Sequence, residues 1–157
     1  MEESGQEIER NWLIKEMPDL KEFNIQKIIK VNQDYVMIDG EGEVRIRKCL
    51  MNNKTFHDMA IKIGNGVIRT EVNKDLNSDE YKQLKSQSKG GITKTLIVIA
   101  DNCCIHIYSG KLKGLNMVEV EFPSMSEAKK FIPPYWFGKE VSNDVRYRAK
   151  SLALNGI

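Results

Sequence analysis

The sequence predicts an α+β fold in which roughly eight antiparallel strands form a meander or a closed barrel. Three observations predict it. Apolar and polar residues alternate with a period of two through most of the chain. Most of the alternating stretches are joined by short turn signals, as in antiparallel sheets. Helix-like stretches are few and short, unlike the long crossovers of a parallel sheet.

The first strand is expected over Glu7–Lys15, followed by a short helical connection with Pro18 near its start. Two strand-like stretches follow, Ile25–Val31 and Tyr35–Asp39, then a turn over Asp39–Val44 and a strand over Val44–Leu50. Phe56–Ile63 and Val67–Asn73 flank Gly64-Asn65-Gly66, a hairpin signal. Ser78–Ser88 reads as a helix with Ser78 as its N-cap. Ile92–Ala100 and Cys103–Tyr108 flank Asp101-Asn102, a second hairpin, and Met117–Phe122 is a strand. Ser124–Phe131 is a short helix with Ser124 and Glu127 in capping-box spacing, and Asn143–Leu154 reads as a final helix.

At 157 residues the chain has the size of one domain, expected to span residues 1–157. Its 41% hydrophobic content is globular. Charged residues make up 29%, yet the net charge is only +2. That balance argues against a general nucleic-acid binder or a membrane-surface binder. Cys49, Cys103 and Cys104 are odd in number and two are adjacent, which makes a poor disulfide framework. With an acidic, polar start and no long apolar run, the expectation is a cytoplasmic protein with reduced thiols.

Alternation divides each strand into two faces. Glu7, Glu9 and Asn11 share one, opposite Ile8, Arg10, Trp12 and Ile14. Arg45 and Arg47 share another, opposite Val44 and Ile46. Lys62 aligns with Ala60, Arg69 with Glu71 and Asn73, Lys94 with Leu96, His106 with Cys104 and Tyr108, and Glu119 with Glu121. A half-buried sheet with a solvated outer face is the ordinary reading of any one such strand. Here, however, like charges recur two residues apart, as ExE, RxR and ExE. Such pairs repel unless a partner of opposite sign joins them. Paired carboxylates suit a hard divalent cation, and paired arginines suit phosphate oxygens.

In order along the chain, these motifs resemble the CYTH superfamily, the triphosphate tunnel metalloenzymes. Glu7-Ile8-Glu9-Arg10 resembles its ExExK signature, Val44-Arg45-Ile46-Arg47 its RxR strand, Lys62 with Arg69-Thr70-Glu71 its central hairpin, and Glu119-Val120-Glu121 its late ExE strand. The tail from Trp136 through Val141 and on to Arg146-Tyr147 resembles the family's ending. The resemblance implies an eight-stranded antiparallel tunnel with helices outside and a C-terminal plug helix. It implies Mg²⁺ or Mn²⁺ in two sites, held by Glu7, Glu9, Glu119 and Glu121. It implies phosphate contacts from Arg45, Arg47, Lys62, Arg69, Lys94 and Arg146, with Glu71 and Lys94 as catalytic groups.

Four positions depart from the family pattern. Asn11 stands where lysine is usual, Asn73 where a carboxylate is, Leu96 where arginine is, and His106 where aspartate is. Together they remove two cations and two carboxylates from the lumen. The leading expectation is metal-dependent hydrolysis of inorganic triphosphate or a nucleoside triphosphate. The alternatives are a protein that sequesters a triphosphate without turnover, and an adenylyl cyclase of the same fold. The expected partner is a triphosphate-containing small molecule, and a homodimer is a compatible assembly.

Other candidates have plainer readings. His57-Asp58 is expected to be a surface pair, and Cys103, Cys104 and His106 a packed small-residue face. Tyr135 and Trp136 are expected to pack a turn, and Lys129-Lys130 to lie on a solvated helix face. No Walker A sequence is present, so phosphate binding here is not of the P-loop type.

Overall fold

The computed structural model describes residues 2–64 and 66–157. Among these residues nine strands run in one antiparallel sheet: β1 Glu2–Ile14, β2 Lys27–Asp39, β3 Gly42–Met51, β4 Lys54–Ile63, β5 Ile68–Leu76, β6 Gly90–Ala100, β7 Cys103–Ser109, β8 Asn116–Glu121 and β9 Phe137–Glu140. Three α-helices accompany them among the described residues: α1 Ser78–Lys85, α2 Met125–Lys130 and α3 Ala149–Asn155. The strand order is β5-β4-β3-β2-β6-β7-β8-β1-β9, and β5 also pairs with β1. Eight strands therefore close into a barrel, as expected.

The closing strand is β1, which divides its pairing along its length. Glu2–Ile8 lie against β5, and Glu9–Leu13 lie against β8. Beyond the barrel β9 adds to the end of β1 at Trp12 and Ile14. At four residues, Phe137–Glu140 is too short to display a period in the sequence.

The stretches Ile25–Val31 and Tyr35–Asp39 are one strand, β2, with an irregularity between Tyr35 and Met37. Polar residues at its centre imitated a break. Gln33 is instead fully buried and donates to the Tyr35 hydroxyl at 2.8 Å. Asp34 accepts from Lys85 Nζ at 2.6 Å and from the Ser88 hydroxyl at 2.7 Å.

The turns carry the residues their geometry requires. Asn52 and Asn53 both take positive φ, 51° and 63°, and join β3 to β4. Gly64 and Gly66 sit at φ 110° and 86° in the β4–β5 connection, where a β-carbon would be strained. Asn65 lies outside the described residues. Helix α1 is capped by Asn77 rather than Ser78, in a reciprocal capping box with Glu80. Ser124 caps α2 by accepting from the Glu127 amide at 3.1 Å.

The barrel wears its apolar face outward. Trp12, Ile105, Val118 and Val120 are buried on the outer surface with Trp136 and Phe137, under Phe23 and Phe131. Trp12 meets Phe137 at 4.9 Å and Phe131 at 5.5 Å between ring centres. Ile46, fully buried, lies on the same outward face of β3 beside α1. A second cluster closes one end of the barrel, where Leu152 and Ala153 of α3 pack with Tyr35, Ile92 and Tyr108. A β-carbon on Gly90 would lie 2.7 Å from the Ala153 carbonyl, so only glycine lets α3 seat this deeply. A small third cluster of Val31, Cys49 and Leu96 faces inward, and the rest of the interior is left mainly to polar side chains. Among the described residues no helix is long and apolar enough to cross a membrane.

Candidate functional site

The barrel encloses a cavity of about 570 Å³. Residues of all eight barrel strands line it, mostly at alternate positions, so its chemistry follows from strand register. Glu7, Glu9 and Asn11 come from β1, and Glu43, Arg45 and Arg47 from β3. Asp58 and Lys62 come from β4, and Arg69, Glu71 and Asn73 from β5. Lys94 and Leu96 come from β6, Cys104, His106 and Tyr108 from β7, and Glu119 and Glu121 from β8.

One wall is acidic. Register places Glu9 opposite Glu121 and Asn11 opposite Glu119. Glu7, Glu9, Glu119 and Glu121 each offer a carboxylate oxygen, and the four oxygens lie within 4.8 Å of one another. Such crowding is unfavourable for four bare charges. Burial, then the Glu119 charge, pushes the Glu9 carboxyl well above its usual range. Burial with Glu119 and Glu7 pushes Glu121 up to about 7. Burial also works to raise Glu7 and Glu119, but it is outweighed in both. The Glu9 hydrogen bond and Lys62 hold Glu7 at about 2, and His106 holds Glu119 below the ordinary carboxylate range. His106 Nε2 stands 3.0 Å from Glu119 Oε2. An all-oxygen set of this kind fits a hard divalent cation, whose charge relieves the repulsion among the four carboxylates.

The other wall is basic and tied into ion pairs. Lys62 Nζ lies 3.2 Å from both oxygens of Glu7 and 3.7 Å from Glu71 Oε1. Arg45 reaches the same Glu71 oxygen at 3.7 Å. Arg47 grips Asp58 through two hydrogen bonds of 2.9 and 2.6 Å. Arg69 donates to Glu43. The Nε atoms of Arg45 and Arg69 are buried with no acceptor. Lys94 is buried, and desolvation followed by the charge of Arg45 pulls its amine down to about 7. Its Nζ lies 5.6 Å from the Tyr108 ring centre. Burial, then Glu7, raises the Glu71 carboxyl.

The expected site residues thus line one cavity, with one exception. Arg146 is outside it: its side chain is 71% exposed and forms a fork with Asp144 at 3.0 and 2.7 Å. Asp144 caps a short 3-10 turn over Val145–Tyr147, which aims residue 146 outward. The cavity-facing arginine is Arg148, two residues on. Asp58 is a correction of the opposite kind. Only His57 of the His57-Asp58 pair faces out, its ring 4.7 Å from that of Tyr81, while Asp58 faces the cavity. Glu43 was missed because it sits in a glycine-rich turn signal, although it continues the alternation of Arg45 and Arg47. Cys104 and His106 line the cavity and are not merely packed. Asn11, Asn73, Leu96 and His106, the four departures, all face it.

Fold and cavity define a class: a closed antiparallel barrel whose interior is lined by carboxylates and cationic side chains of both wall types. No family model matches the chain. The inorganic triphosphatase of Nitrosomonas europaea is 32% identical over 155 residues, spanning 95% of this chain and 97% of that protein. A crystal structure of an inorganic triphosphatase superposes with a TM-score of 0.64 at 28% identity, over 94% of each chain. The structure of a putative adenylyl cyclase from Hippeastrum with a dominant triphosphatase activity matches at TM-score 0.53 and 12% identity, over 78% of this chain and 82% of that one. This last likeness bears on the fold alone. The chain belongs to the CYTH superfamily, the triphosphate tunnel metalloenzymes.

Proposed function

We propose that this protein hydrolyses a triphosphate inside its barrel with the help of divalent metal ions, and that inorganic triphosphate is its first candidate substrate. One observation carries the reading. A single cavity joins four carboxylates within 4.8 Å to a wall holding Arg45, Lys62, Arg69 and Lys94. The relative from Nitrosomonas europaea supports the choice of substrate.

Glu7, Glu9, Glu119 and Glu121 would hold Mg²⁺ or Mn²⁺, in one or two sites. Such ions neutralise phosphate oxygens and acidify bound water. The protein's own residues do the rest. Arg45 and Lys62 are held at 3.7 Å from Glu71, loose contacts that a polyphosphate oxygen can replace. The unpartnered Nε–H groups of Arg45 and Arg69 supply further donors. Lys94, whose burial disfavours its charge, is held as the ammonium more firmly when an anion arrives. Glu71 stands among these cations with a raised carboxyl pKa, which suits it to accept the proton of an attacking water. Fixed donors around the transferred phosphoryl group stabilise the charge that shifts during transfer.

A second reading, sequestration without turnover, rests on Asn11, Asn73, Leu96 and His106, which face the cavity where the family carries charge. Phosphate release from inorganic triphosphate and from ATP, with Mg²⁺ or Mn²⁺, measured beside calorimetric binding, separates the two. Metal-dependent release supports the hydrolase. Tight binding with no release overturns it in favour of the second reading.

A further inference from the structure

Arg148 is a cavity-lining guanidinium that no barrel strand carries. Arg148 lies immediately before α3, in the segment that closes one end of the barrel. Its Nη2 donates to the Gly66 carbonyl at 3.1 Å, which ties that segment to the β4–β5 connection. Its Nε is buried and has no acceptor. Among the described residues it forms no ion pair, whereas nearby Arg69 is matched by Glu43. Burial and the charge of Arg69 both disfavour the cation it carries.

A buried N–H without an acceptor is costly, and two guanidinium groups within electrostatic reach repel one another. An oxygen-rich anion between them removes both costs, and a phosphoryl group presents oxygens to a guanidinium fork. Resting on the triphosphate reading of the cavity, we propose that Arg148 is a further phosphate-binding residue, contributed by the C-terminal segment to the phosphoryl group nearest Arg69. Because Arg148 is carried by the end closure and not by a barrel strand, it lets a bound polyphosphate hold α3 in place.

The test compares Arg148→Gln and Arg148→Lys with Arg146→Gln, an exposed arginine two residues away. Glutamine loses the charge and falls two bonds short of the Gly66 carbonyl, whereas lysine keeps the charge and most of the reach, so the ligand-free melting temperature reports the tether and the affinity reports the charge. Calorimetric affinity for inorganic triphosphate with Mg²⁺ is the main readout, and the ligand-free melting temperature checks the fold. Arg148→Gln is expected to weaken binding by about tenfold or more, the scale of a charge-assisted hydrogen bond. Arg148→Lys recovers part of the loss, Arg146→Gln binds as the parent, and the ligand-free melting curves show every variant cooperatively folded. Equal affinities for Arg148→Gln and the parent overturn the inference and leave the hydrolase reading intact. So does an equal loss in Arg146→Gln, which would make the effect one of net charge. A parent protein that neither binds nor hydrolyses triphosphate overturns both.

Discussion

His106 Nε2 and Glu119 Oε2 stand 3.0 Å apart in the barrel interior, so an imidazole supports a carboxylate that also belongs to the acidic cluster. Burial, reinforced by Lys94, lowers the His106 pKa against the pull of the Glu119 hydrogen bond, which raises it. His106→Phe leaves the Glu119 carboxylate without that donor. The metal-free protein should lose about 1–3 kcal/mol of stability, the cost of an unsatisfied buried acceptor. Saturating Mg²⁺ should restore most of it, because the ion takes the place of the donor. Melting curves with and without Mg²⁺ check this, and an equal loss in both would remove Glu119 from the metal site.

Glu119→Gln with Glu121→Gln keeps side-chain volume and removes the charge a hard cation needs. The double variant should fold, lose Mn²⁺ binding measured by calorimetry, and lose metal-dependent phosphate release. Unaltered Mn²⁺ affinity would place the ion elsewhere.

Lys94 should make the ligand-free barrel less stable. Its folded pKa, about 7, lies below the usual 10.5. The cost of burying the charged amine is therefore full below pH 7 and shrinks as pH rises from 7 to 10.5. Lys94→Met should melt higher than the parent at pH 7, and the gap should close towards pH 10. The same variant should bind triphosphate much more weakly. A melting gap that does not vary with pH would mean that the amine is solvated.

Asn11→Lys and Leu96→Arg restore two cations to a cavity that both residues face. In a weakened hydrolase, phosphate release should rise by on the order of a hundredfold for one well-placed donor. In a sequestering protein, affinity for triphosphate should rise with no turnover, since uniform binding does not speed chemistry. Melting curves separate a variant that folds from one whose new lysine finds no partner. No change in rate or affinity in a folded double variant would remove both positions from the ligand site.

Much of this site was legible because β-structure alternates. Glu7 with Glu9, Arg45 with Arg47, and Glu119 with Glu121 had to share a face in any strand. Glu43 and Asp58 belong to the same alternation but were concealed, one by the glycines around it and the other by a histidine neighbour that faces outward. Arg146 and Arg148 were beyond local pattern, because a 3-10 turn set by Asp144 decides which of the two points inward. Strand β9 and the continuity of β2 were hidden for related reasons: one segment is too short to show a period, and the other buries Gln33 through a partner two residues away.

By itself the sequence determined which residues travel together: the paired charges, the apolar faces opposite them, and the hairpin turns that make the sheet antiparallel. Which face is the interior was decided only by tertiary structure. Two long-range pairings of β1 close the sheet, one half with β5 and the other with β8. Phe137 of β9 and aromatic and aliphatic groups of the connections, among them Phe23, Phe131 and Trp136, cover the outer face. Alternation is symmetric between the two sides of a strand, so it carries no sign. Closure supplies that sign, because the apolar side chains find their cover outside, and the carboxylates and guanidinium groups are left facing one another across the cavity.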